Sequence, residues 1–537
     1  MVPTQFPLAL LTTATTLSRL QRELLDDTFA GIHTLGWFDY ALLIPYFTVL
    51  IVLSIYGLHR YSVIREYFKH RHVLNQPPAK EWGQLPRVTI QLPLFNERYV
   101  VERLIETVVK MDYPRELLEI QVLDDSTDET HPFTERLVNE YAAMGHPIVY
   151  IHRTNRHGFK AGALQEGMYK AKGEFFAIFD ADFIPPTDFL RRTIHYFTDS
   201  NIGMVQTRWT YLNRDYNLLT EVQAMLLDGH FVLEHGARFG GGTFFNFNGT
   251  AGILRRRMIE DAGGWEHDTL TEDSDLSYRA QIKGWRFHYV PSVECPSELP
   301  VDTHAFQVQQ SRWAKGLMQV CMKLIHRILK ADVPFKVKAE AFCHLTPNIS
   351  YPLMIVVSAL MLPVMMVRFY IGWWEMLFID LPLVIASFWS VSAFYVIAQR
   401  ELYPRTWWKA FFFLPALMSA GIALTLINTK AVAEALMRIQ SSFVRTAKFG
   451  IGEKKVAVEK KKYRSRSGML PYLELAFGTY FLGMVAYAID TFNFLAVPIL
   501  MLFVGGYYWA GFSTLWQEYQ DRMRWQAAQR MEAEPAR

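Results

Sequence analysis

The sequence predicts an α/β domain with a largely parallel sheet, joined to an α-helical transmembrane region. Apolar residues make up 51% of the 537-residue chain and aromatic residues 15%, which is too apolar for a disordered chain. Several charge-free apolar runs have about the 20 residues that a helix needs to cross a bilayer. Between the first and second runs, strand-like and helix-like pieces alternate. The formal net charge of +3 does not indicate a nucleic-acid partner.

The apolar runs are the candidate membrane helices. They are Tyr40–Leu58, Leu345–Val367, Leu381–Gln399, Ala410–Thr429, Leu475–Ile489 and Thr491–Gln517. Basic residues follow the first run at Arg60, Arg65 and Lys69, so the positive-inside rule places the large polar region in the cytoplasm. We expect no signal peptide, because no basic residue precedes the short apolar stretch Phe6–Leu11.

The run Ala410–Thr429 creates a conflict of topology. The segment Arg438–Arg466 that follows it is strongly basic and should also be cytoplasmic. If the two preceding runs cross the membrane, a further crossing here would place that basic segment outside. We therefore interpret the run as an interfacial or re-entrant helix, interrupted by Pro415 and Gly421, and expect five spans in all. The alternative is an ordinary sixth span.

These assignments divide the chain into nine segments. We expect an extracytoplasmic segment over residues 1–36, a transmembrane helix over 37–59, a basic linker over 60–85, the cytoplasmic α/β domain over 86–340, two transmembrane helices over 345–400, the interfacial or re-entrant helix over 404–437, a basic cytoplasmic loop over 438–468, two transmembrane helices over 470–517 and a cytoplasmic tail over 518–537.

Four strand candidates open the α/β domain. They are Arg87–Leu92, Leu118–Leu123, Ile148–His152 and Phe175–Phe179. Polar clusters follow three of them, namely Asn96 and Glu97 after the first, Asp124, Asp125 and Ser126 after the second, and Asp180 and Asp182 after the fourth. In open α/β sheets the ligand lies beyond the carboxyl ends of the strands, so these clusters should meet in one crevice.

The strand-end carboxylates suggest a cation and a nucleotide. Asp180 and Asp182 are separated by one residue and can present hard oxygen ligands to a divalent ion that also binds phosphate. Asp124 and Asp125 can hold a nucleotide ring or ribose, or help to place the metal. Aspartate at a strand end is also a common turn former, and taken singly each pair fits that simpler interpretation.

Two later clusters add candidate chemistry. Within Thr271–Asp273, a carboxylate is a candidate general base, although the same residues fit a capping box with Thr271 as the N-cap. The segment Gln309–Trp313 offers an arginine fork for diphosphate oxygens and a tryptophan face for a sugar. A basic and aromatic pair that snorkels at the membrane surface is the alternative for the second cluster.

The ordered set of motifs resembles a processive family 2 glycosyltransferase. The motifs are QLPLFNE (91–97), DDS (124–126), GFKAGAL (158–164), FDADF (179–183), FNGTAG (247–252), TED (271–273) and QQSRW (309–313). The layout is similar to that of the cellulose synthase superfamily, above all to its cellulose synthase-like groups A and C, which make mannan, glucomannan and glucan backbones. The resemblance implies a Rossmann-like nucleotide-sugar-binding domain of glycosyltransferase type A.

The resemblance also implies roles for individual residues. It implies that Asp180 and Asp182 hold Mg²⁺ or Mn²⁺ together with the donor diphosphate. It also implies that Asp273 is the base that removes the proton from the acceptor. The remaining catalytic candidates are Glu272, Gln309, Arg312 and Trp313, and the nucleotide-sugar pocket adds Glu97, Asp124, Asp125 and Lys160. Arg312 would contact the diphosphate, and Trp313 would stack at the acceptor end.

A gating-loop pattern is approximated by Phe443, Thr446 and Lys448 in the basic cytoplasmic segment. Arg445 departs from the apolar residue usual in that pattern. We identify no cyclic-dinucleotide-binding domain after Gln517.

The expected function is inverting transfer of hexose from GDP-mannose or UDP-glucose to a growing β-linked glycan, by an integral membrane protein of the bacterial inner membrane whose catalytic domain is cytoplasmic. A diacylglycerol glucosyltransferase is the first alternative. A non-enzymatic transporter regulated by nucleotide-sugar is the second. The expected partners are the donor, the acceptor glycan and the lipid bilayer, while donor identity and protein partners stay open.

Overall fold

The computed structural model describes residues 34–368, 379, 381–440, 448, 450, 468–491 and 493–533. Its centre is a mixed seven-stranded sheet. The strands are β1 (Val88–Leu94), β2 (Leu118–Asp124), β3 (Ile148–His152), β4 (Phe175–Ile178), β5 (Ile202–Tyr211), β6 (Gly252–Arg255) and β7 (Arg286–Ser297), in the order β3-β2-β1-β4-β6-β5-β7.

The four predicted strands are present and parallel to one another. All four residues of β4 are buried, which explains its continuous apolar sequence, since a central parallel strand is covered on both faces. The other half of the sheet was not predicted. There β6 runs antiparallel to both of its neighbours, and β7 is parallel to β5, with shifts in register.

Helices cover both faces of this sheet. Those of the α/β domain are α1 (Trp37–His70, at its C-terminal end), α2 (Val101–Val108), α3 (Thr130–Ala143), α4 (Phe159–Lys170), α5 (Phe189–Thr193), α6 (Leu218–Asp228), α7 (His235–Gly240), α8 (Arg256–Ala262), α9 (Glu272–Ile282), α10 (Thr303–Lys330) and α11 (Phe335–Leu345). A π-helical turn, Gly229–Glu234, joins α6 to α7.

The remaining helices form an apolar bundle. They are α12 (Ser350–Arg368), α13 (Leu381–Val384), α14 (Ser390–Leu402), α15 (Ala410–Ala423), α16 (Thr425–Leu436), α17 (Leu470–Asp490) and α18 (Val497–Ala533). Among the described residues, four helical segments are long and apolar enough to cross a membrane, namely Trp37–Val73, Pro347–Arg368, Leu470–Asp490 and Val497–Gln520. These segments make the chain a membrane protein.

The run Ala410–Thr429 forms two helices, α15 and α16, which meet at a bend of 40°. The break lies at Leu424, whereas Pro415 and Gly421 both lie inside α15. The prediction that those two residues interrupt the helix is therefore wrong. Such a bent pair fits either a broken span or a re-entrant loop, so the interfacial placement of this segment stays a prediction.

The first membrane helix also reaches into the α/β domain. Helix α1 continues past the predicted boundary at residue 59 to His70, and Val63 and Tyr67 are buried against the domain core. Gly236 of α7 lies so close to Tyr67 that a Cβ built on it would be 2.8 Å from the tyrosine ring. The basic residues after the apolar run therefore lie on the domain side of one continuous helix.

Replacement of Gly57 should loosen the contact between α1 and the bundle. A Cβ built on Gly57 lies 1.8 Å from the backbone oxygen of Ala386, so Gly57→Val forces the two segments apart. We expect a loss of about 1–3 kcal/mol of stability, measured as a lower unfolding temperature of the detergent-solubilised protein. Gly483→Ala in α17 is the matched control, because no described atom lies within 4 Å of its added Cβ. Equal unfolding temperatures for the two variants would contradict this packing.

Candidate active site

A cavity of about 190 Å³ opens at the carboxyl edge of the sheet, beneath α10. Its wall includes predicted site residues that are far apart in sequence. They are Glu97, Asp125, Lys160, Asp180, Asp182, Glu272, Asp273, Gln309, Arg312, Trp313 and Lys448. The expectation of a single crevice is therefore correct for these residues.

Asp180 and Asp182 lie in the turn after β4, and each faces an ammonium group. Lys160 Nζ lies 2.5 Å from Asp180 Oδ1, and Lys448 Nζ lies 2.5 Å from Asp182 Oδ2. The backbone N–H of Asp180 donates to Thr250 Oγ1 at 2.9 Å, which holds the turn against the FNGTAG segment. Burial alone would lower the pKa of Lys160, but the carboxylates of Asp180 and Glu272 outweigh it and raise that pKa.

The donor set fits a divalent cation. The carboxylates of Asp180 and Asp182 line one cavity, and each pairs with the ammonium group of a lysine. Carboxylate oxygens, completed by water and phosphate oxygens, are suitable ligands for Mg²⁺ or Mn²⁺. A group of three acidic residues elsewhere, Glu266, Asp268 and Asp275, fits less well. None of these three residues lines the cavity, and Lys323 Nζ lies within 3.0 Å of all three carboxylates.

Asp273 lies in the first turn of α9, where its Oδ1 accepts the backbone N–H of Ser274 at 2.7 Å. Burial, and next the neighbouring carboxylate of Glu272, raise the pKa of Asp273 to about 7, although Lys160 opposes the shift. Burial also raises the pKa of Glu272. A carboxylate with a pKa near neutrality can accept a proton and release it again, as a general base requires.

The capping-box interpretation of this segment is wrong. Thr271 does occupy the N-cap position of α9, but its hydroxyl makes no capping hydrogen bond among the described residues. The side chain of Thr271 instead packs against α10, where a Cβ built on Gly316 would lie 2.5 Å from Thr271 Cγ2. Because of this close approach, the segment that carries Asp273 rests directly on α10.

The two neighbouring aspartates at the end of β2 have different environments. Asp125 lines the cavity, and Arg153 binds both of its carboxylate oxygens, at 2.7 and 2.5 Å. Asp124 is fully buried, does not line the cavity, and accepts hydrogen bonds from the Tyr150 hydroxyl at 2.5 Å and the Ser126 N–H at 2.9 Å. The structure thus brings Asp125, but not Asp124, to the place where a nucleotide would bind.

Helix α10 supplies the opposite wall. Gln309, Arg312 and Trp313 are spaced three and four residues apart, so they share one helix face, and all three line the cavity. Burial lowers the pKa of Arg312, while the carboxylates of Glu272 and Asp180 act in the opposite direction. Of the gating-loop residues, Phe443 and Thr446 lie outside the described part of the chain, whereas Lys448 reaches Asp182.

Sequence reasoning missed several residues of this wall. Arg156 lines the cavity with its guanidinium carbon 3.3 Å from the centre of the Phe95 ring. Asn248 and Gly249 also line it, in a motif that was recognised without a role for either residue. Glu298 follows β7, a strand that was not predicted. Only the FNGTAG motif gave a signal in the sequence.

Comparison with known proteins agrees with this geometry. Residues 86–316 match the family model described as "Glycosyltransferase like family 2". Glucomannan 4-beta-mannosyltransferase 1 of Oryza sativa subsp. japonica is 45% identical over 258 residues, which are 47% of this chain and 50% of the relative. Glucomannan 4-beta-mannosyltransferase 2 of Arabidopsis thaliana is 44% identical over 253 residues, 46% of this chain and 47% of the relative.

The chain therefore spans about half the length of the curated relatives that it matches. Both relatives are plant proteins, and they give no support to the expected bacterial inner membrane. A solved mannosyltransferase from Pyrobaculum calidifontis, in complex with GDP-Man and Mn²⁺, is 22% identical, with a TM-score of 0.47 over 67% of this chain and 99% of its own.

The raised pKa of Asp273 should appear in the pH dependence of stability. Between its ordinary value of 3.8 and about 7, the folded chain holds this proton and the unfolded chain does not, so the stability of the wild type falls as the pH rises through that range. Asp273→Asn, which cannot ionise, should then unfold at a higher temperature than wild type at pH 8. The difference should shrink towards pH 5 in calorimetric scans. A pH-independent difference would contradict the raised pKa.

Proposed function

We propose that this chain, whose residues 86–316 are a family 2 glycosyltransferase domain, is a membrane-bound inverting β-glycosyltransferase that transfers hexose from a nucleotide-sugar to a growing glycan. One observation carries the proposal. A single cavity holds a carboxylate with its pKa raised to about 7, a pair of carboxylates suited to a divalent ion, and an arginine and a tryptophan on the facing helix. These groups together can deprotonate an acceptor hydroxyl, stabilise a departing diphosphate and hold a sugar.

The residues support a single displacement at the anomeric carbon. Asp273 removes the proton from the acceptor hydroxyl as that oxygen attacks the α-linked donor, so the new bond is β. The guanidinium of Arg312 donates hydrogen bonds to the departing diphosphate. A divalent ion held by Asp180 and Asp182 would offset the negative charge of that leaving group. Trp313 offers a flat face to the acceptor sugar.

Neighbouring side chains hold the acidic groups of the site in position. Lys160 connects the two groups of carboxylates, since its Nζ bonds Asp180 and its charge opposes the rise in pKa that burial causes in Glu272 and Asp273. Arg153 fixes Asp125 with two hydrogen bonds, so that this carboxylate meets the nucleotide in one orientation. Buried Asp124 positions the same turn through Ser126.

We further propose a mannosyl donor, GDP-mannose, ahead of UDP-glucose, because both reported plant relatives bear the name glucomannan 4-beta-mannosyltransferase. The product would then be a β-1,4-linked mannan or glucomannan. The catalytic domain would be cytoplasmic, since Arg60 and Arg65 follow the first apolar run and lie on the domain side of α1. The basic segment after Leu436 would lie on the same side.

Donor turnover by the purified full-length chain in lipid nanodiscs tests this function. With Mn²⁺ and either GDP-mannose or UDP-glucose, we expect a polymer from one donor that the matching endo-β-glycanase digests. Asp273→Asn should lower the rate by about 10²- to 10⁴-fold, because it removes the base while leaving the donor site intact. Asp268→Asn is the matched control, an exposed aspartate outside the cavity, and should keep the wild-type rate.

Three results would contradict the proposal in different ways. A glycolipid product in place of a polymer would indicate a lipid glycosyltransferase. Donor binding without turnover by wild type would favour a transporter regulated by nucleotide-sugar. Full activity in Asp273→Asn would show that another group removes the acceptor proton.

A further inference from the structure

Asn248 lines the cavity, and three neighbouring side chains hold its amide by hydrogen bonds. Its Oδ1 lies 2.8 Å from Asn246 Nδ2 and 3.3 Å from His230 Nε2. Its Nδ2 lies 2.8 Å from His235 Nε2. His230 bonds Glu234 in turn, with Nδ1 2.8 Å from Glu234 Oε2. The mechanism above uses none of these residues.

The contacts determine which way the amide of Asn248 points. Asn246 Nδ2 also meets the carbonyl oxygen of Phe247 at 3.1 Å, so this atom is a donor and must face the oxygen of Asn248. Rotating the Asn248 amide by 180° would place one NH₂ group against another. His230 Nε2 also faces the Asn248 oxygen and donates to it.

A count of donors leaves one hydrogen bond unassigned. The amide nitrogen of Asn248 carries two hydrogens, and only the bond to His235 uses one of them within the described chain. His235 accepts that bond at Nε2, so its ring is neutral, in agreement with a pKa lowered by burial and by the charge of His230. The second N–H of Asn248 can serve a ligand in the cavity.

The position of Asn248 indicates which ligand this is. Lys160 Nζ donates to the oxygen of Gly249 at 2.9 Å and also pairs with Asp180, so this backbone adjoins the metal-binding carboxylates. On the other side, a Cβ built on Gly249, whose φ is +80°, would lie 2.9 Å from Asp273 Oδ2. The segment Asn248–Gly249 thus lies between Asp180, a proposed ligand of the metal and diphosphate, and Asp273, the proposed base. In a single displacement the transferred sugar lies between the leaving diphosphate and the base, so Asn248 borders the position of that sugar.

The local helix geometry supports the same conclusion. His230 and Glu234 lie in the π-helical turn between α6 and α7, and π turns inside helices recur at functional sites. Glu234 is further fixed by Arg238, at 3.3 Å, and Arg238 by Glu340, at 2.9 Å. This partly buried network orients one amide on the cavity wall.

We infer that Asn248 donates a hydrogen bond to a hydroxyl oxygen of the transferred hexose, and that His230, Glu234 and His235 are positioning residues for that contact. The inference rests on the proposed function and extends it to recognition of the sugar. A site built to bond a hydroxyl discriminates strongly against a sugar that lacks it, because the buried amide is then left unpaired.

Calorimetric binding to the full-length chain in nanodiscs tests the contact with Asn248→Ala. With Mn²⁺ present, the variant should bind GDP-mannose about tenfold more weakly than wild type and bind GDP equally well. If wild type binds UDP-glucose instead of GDP-mannose, the same comparison is made between UDP-glucose and UDP. Equal weakening of nucleotide and nucleotide-sugar, or no weakening of either, would overturn the inference.

Monodeoxy donors locate the contact. For the analogue that lacks the recognised hydroxyl, wild type and Asn248→Ala should bind alike, whereas the other analogues should keep the tenfold difference. A tenfold difference that persists for every monodeoxy donor would show that Asn248 does not bond a sugar hydroxyl.

Variants of His230 test the positioning role. His230→Ala should weaken sugar binding selectively, and His230→Gln should restore part of it, because a glutamine N–H can still donate to the Asn248 oxygen. His59→Gln is the control at the far end of the network, where His59 bonds Glu340 at 2.8 Å, and should leave both affinities unchanged. Equal affinities for His230→Ala and His230→Gln would overturn the positioning role.

The outcomes separate the inference from the function on which it rests. Wild type that binds neither nucleotide-sugar would overturn the proposed function. Wild type that binds one of them, with affinity unchanged in Asn248→Ala, would overturn the inference alone.

Discussion

The concentration of negative charge at one edge of the sheet is the constraint on which the rest of the site depends. Four carboxylates line one small cavity, those of Asp180, Asp182, Glu272 and Asp273. Like charges so close together are stable only if cations neutralise them. The cations come from three different parts of the chain, namely Lys160 on α4, Arg312 on α10 and Lys448 in the basic segment after α16. Burial, and next the neighbouring carboxylate of Glu272, raise the pKa of Asp273 to about 7, so the balance of charge around this carboxylate is incomplete. The same imbalance makes the cavity receptive to a divalent ion.

Helix α10 connects this charge balance to the membrane. Its cavity face carries Arg312 and Trp313, while other residues of the same helix contact the apolar bundle. Lys315 Nζ lies 2.7 Å from Glu434 Oε2 of α16, and Gln307 Nε2 lies 3.1 Å from Glu474 Oε1 of α17. A carboxylate on a membrane helix is costly unless paired, so these contacts hold α10 in one place. The wall of the cavity on α10 is therefore fixed by helices of the bundle, and the facing wall by the sheet.

The sequence predicted the parts of this architecture that depend on local pattern. Apolar strands identified β1 to β4, and the acidic residues near the ends of three of them identified part of the cavity wall. The second half of the sheet escaped notice because β6 has only four residues and β5 carries buried polar side chains such as Gln206, which bond the backbone of the FNGTAG segment. Thr271 was misjudged because its packing against Gly316 is a tertiary contact. The hydrogen bonds of Asn248 join residues from separate segments, and no spacing in the sequence reveals them.

The central claim is that Asp180 and Asp182 hold a divalent ion together with the donor diphosphate. Electron paramagnetic resonance of Mn²⁺ tests it most directly, with the full-length chain in nanodiscs titrated in the presence of GDP or UDP, beside Asp182→Asn. We expect wild type to bind one Mn²⁺ only when the nucleotide is present. In Asp182→Asn we expect the affinity for Mn²⁺ to fall by about tenfold or more. Mn²⁺ binding of equal strength in both proteins would place the ion elsewhere and contradict the account.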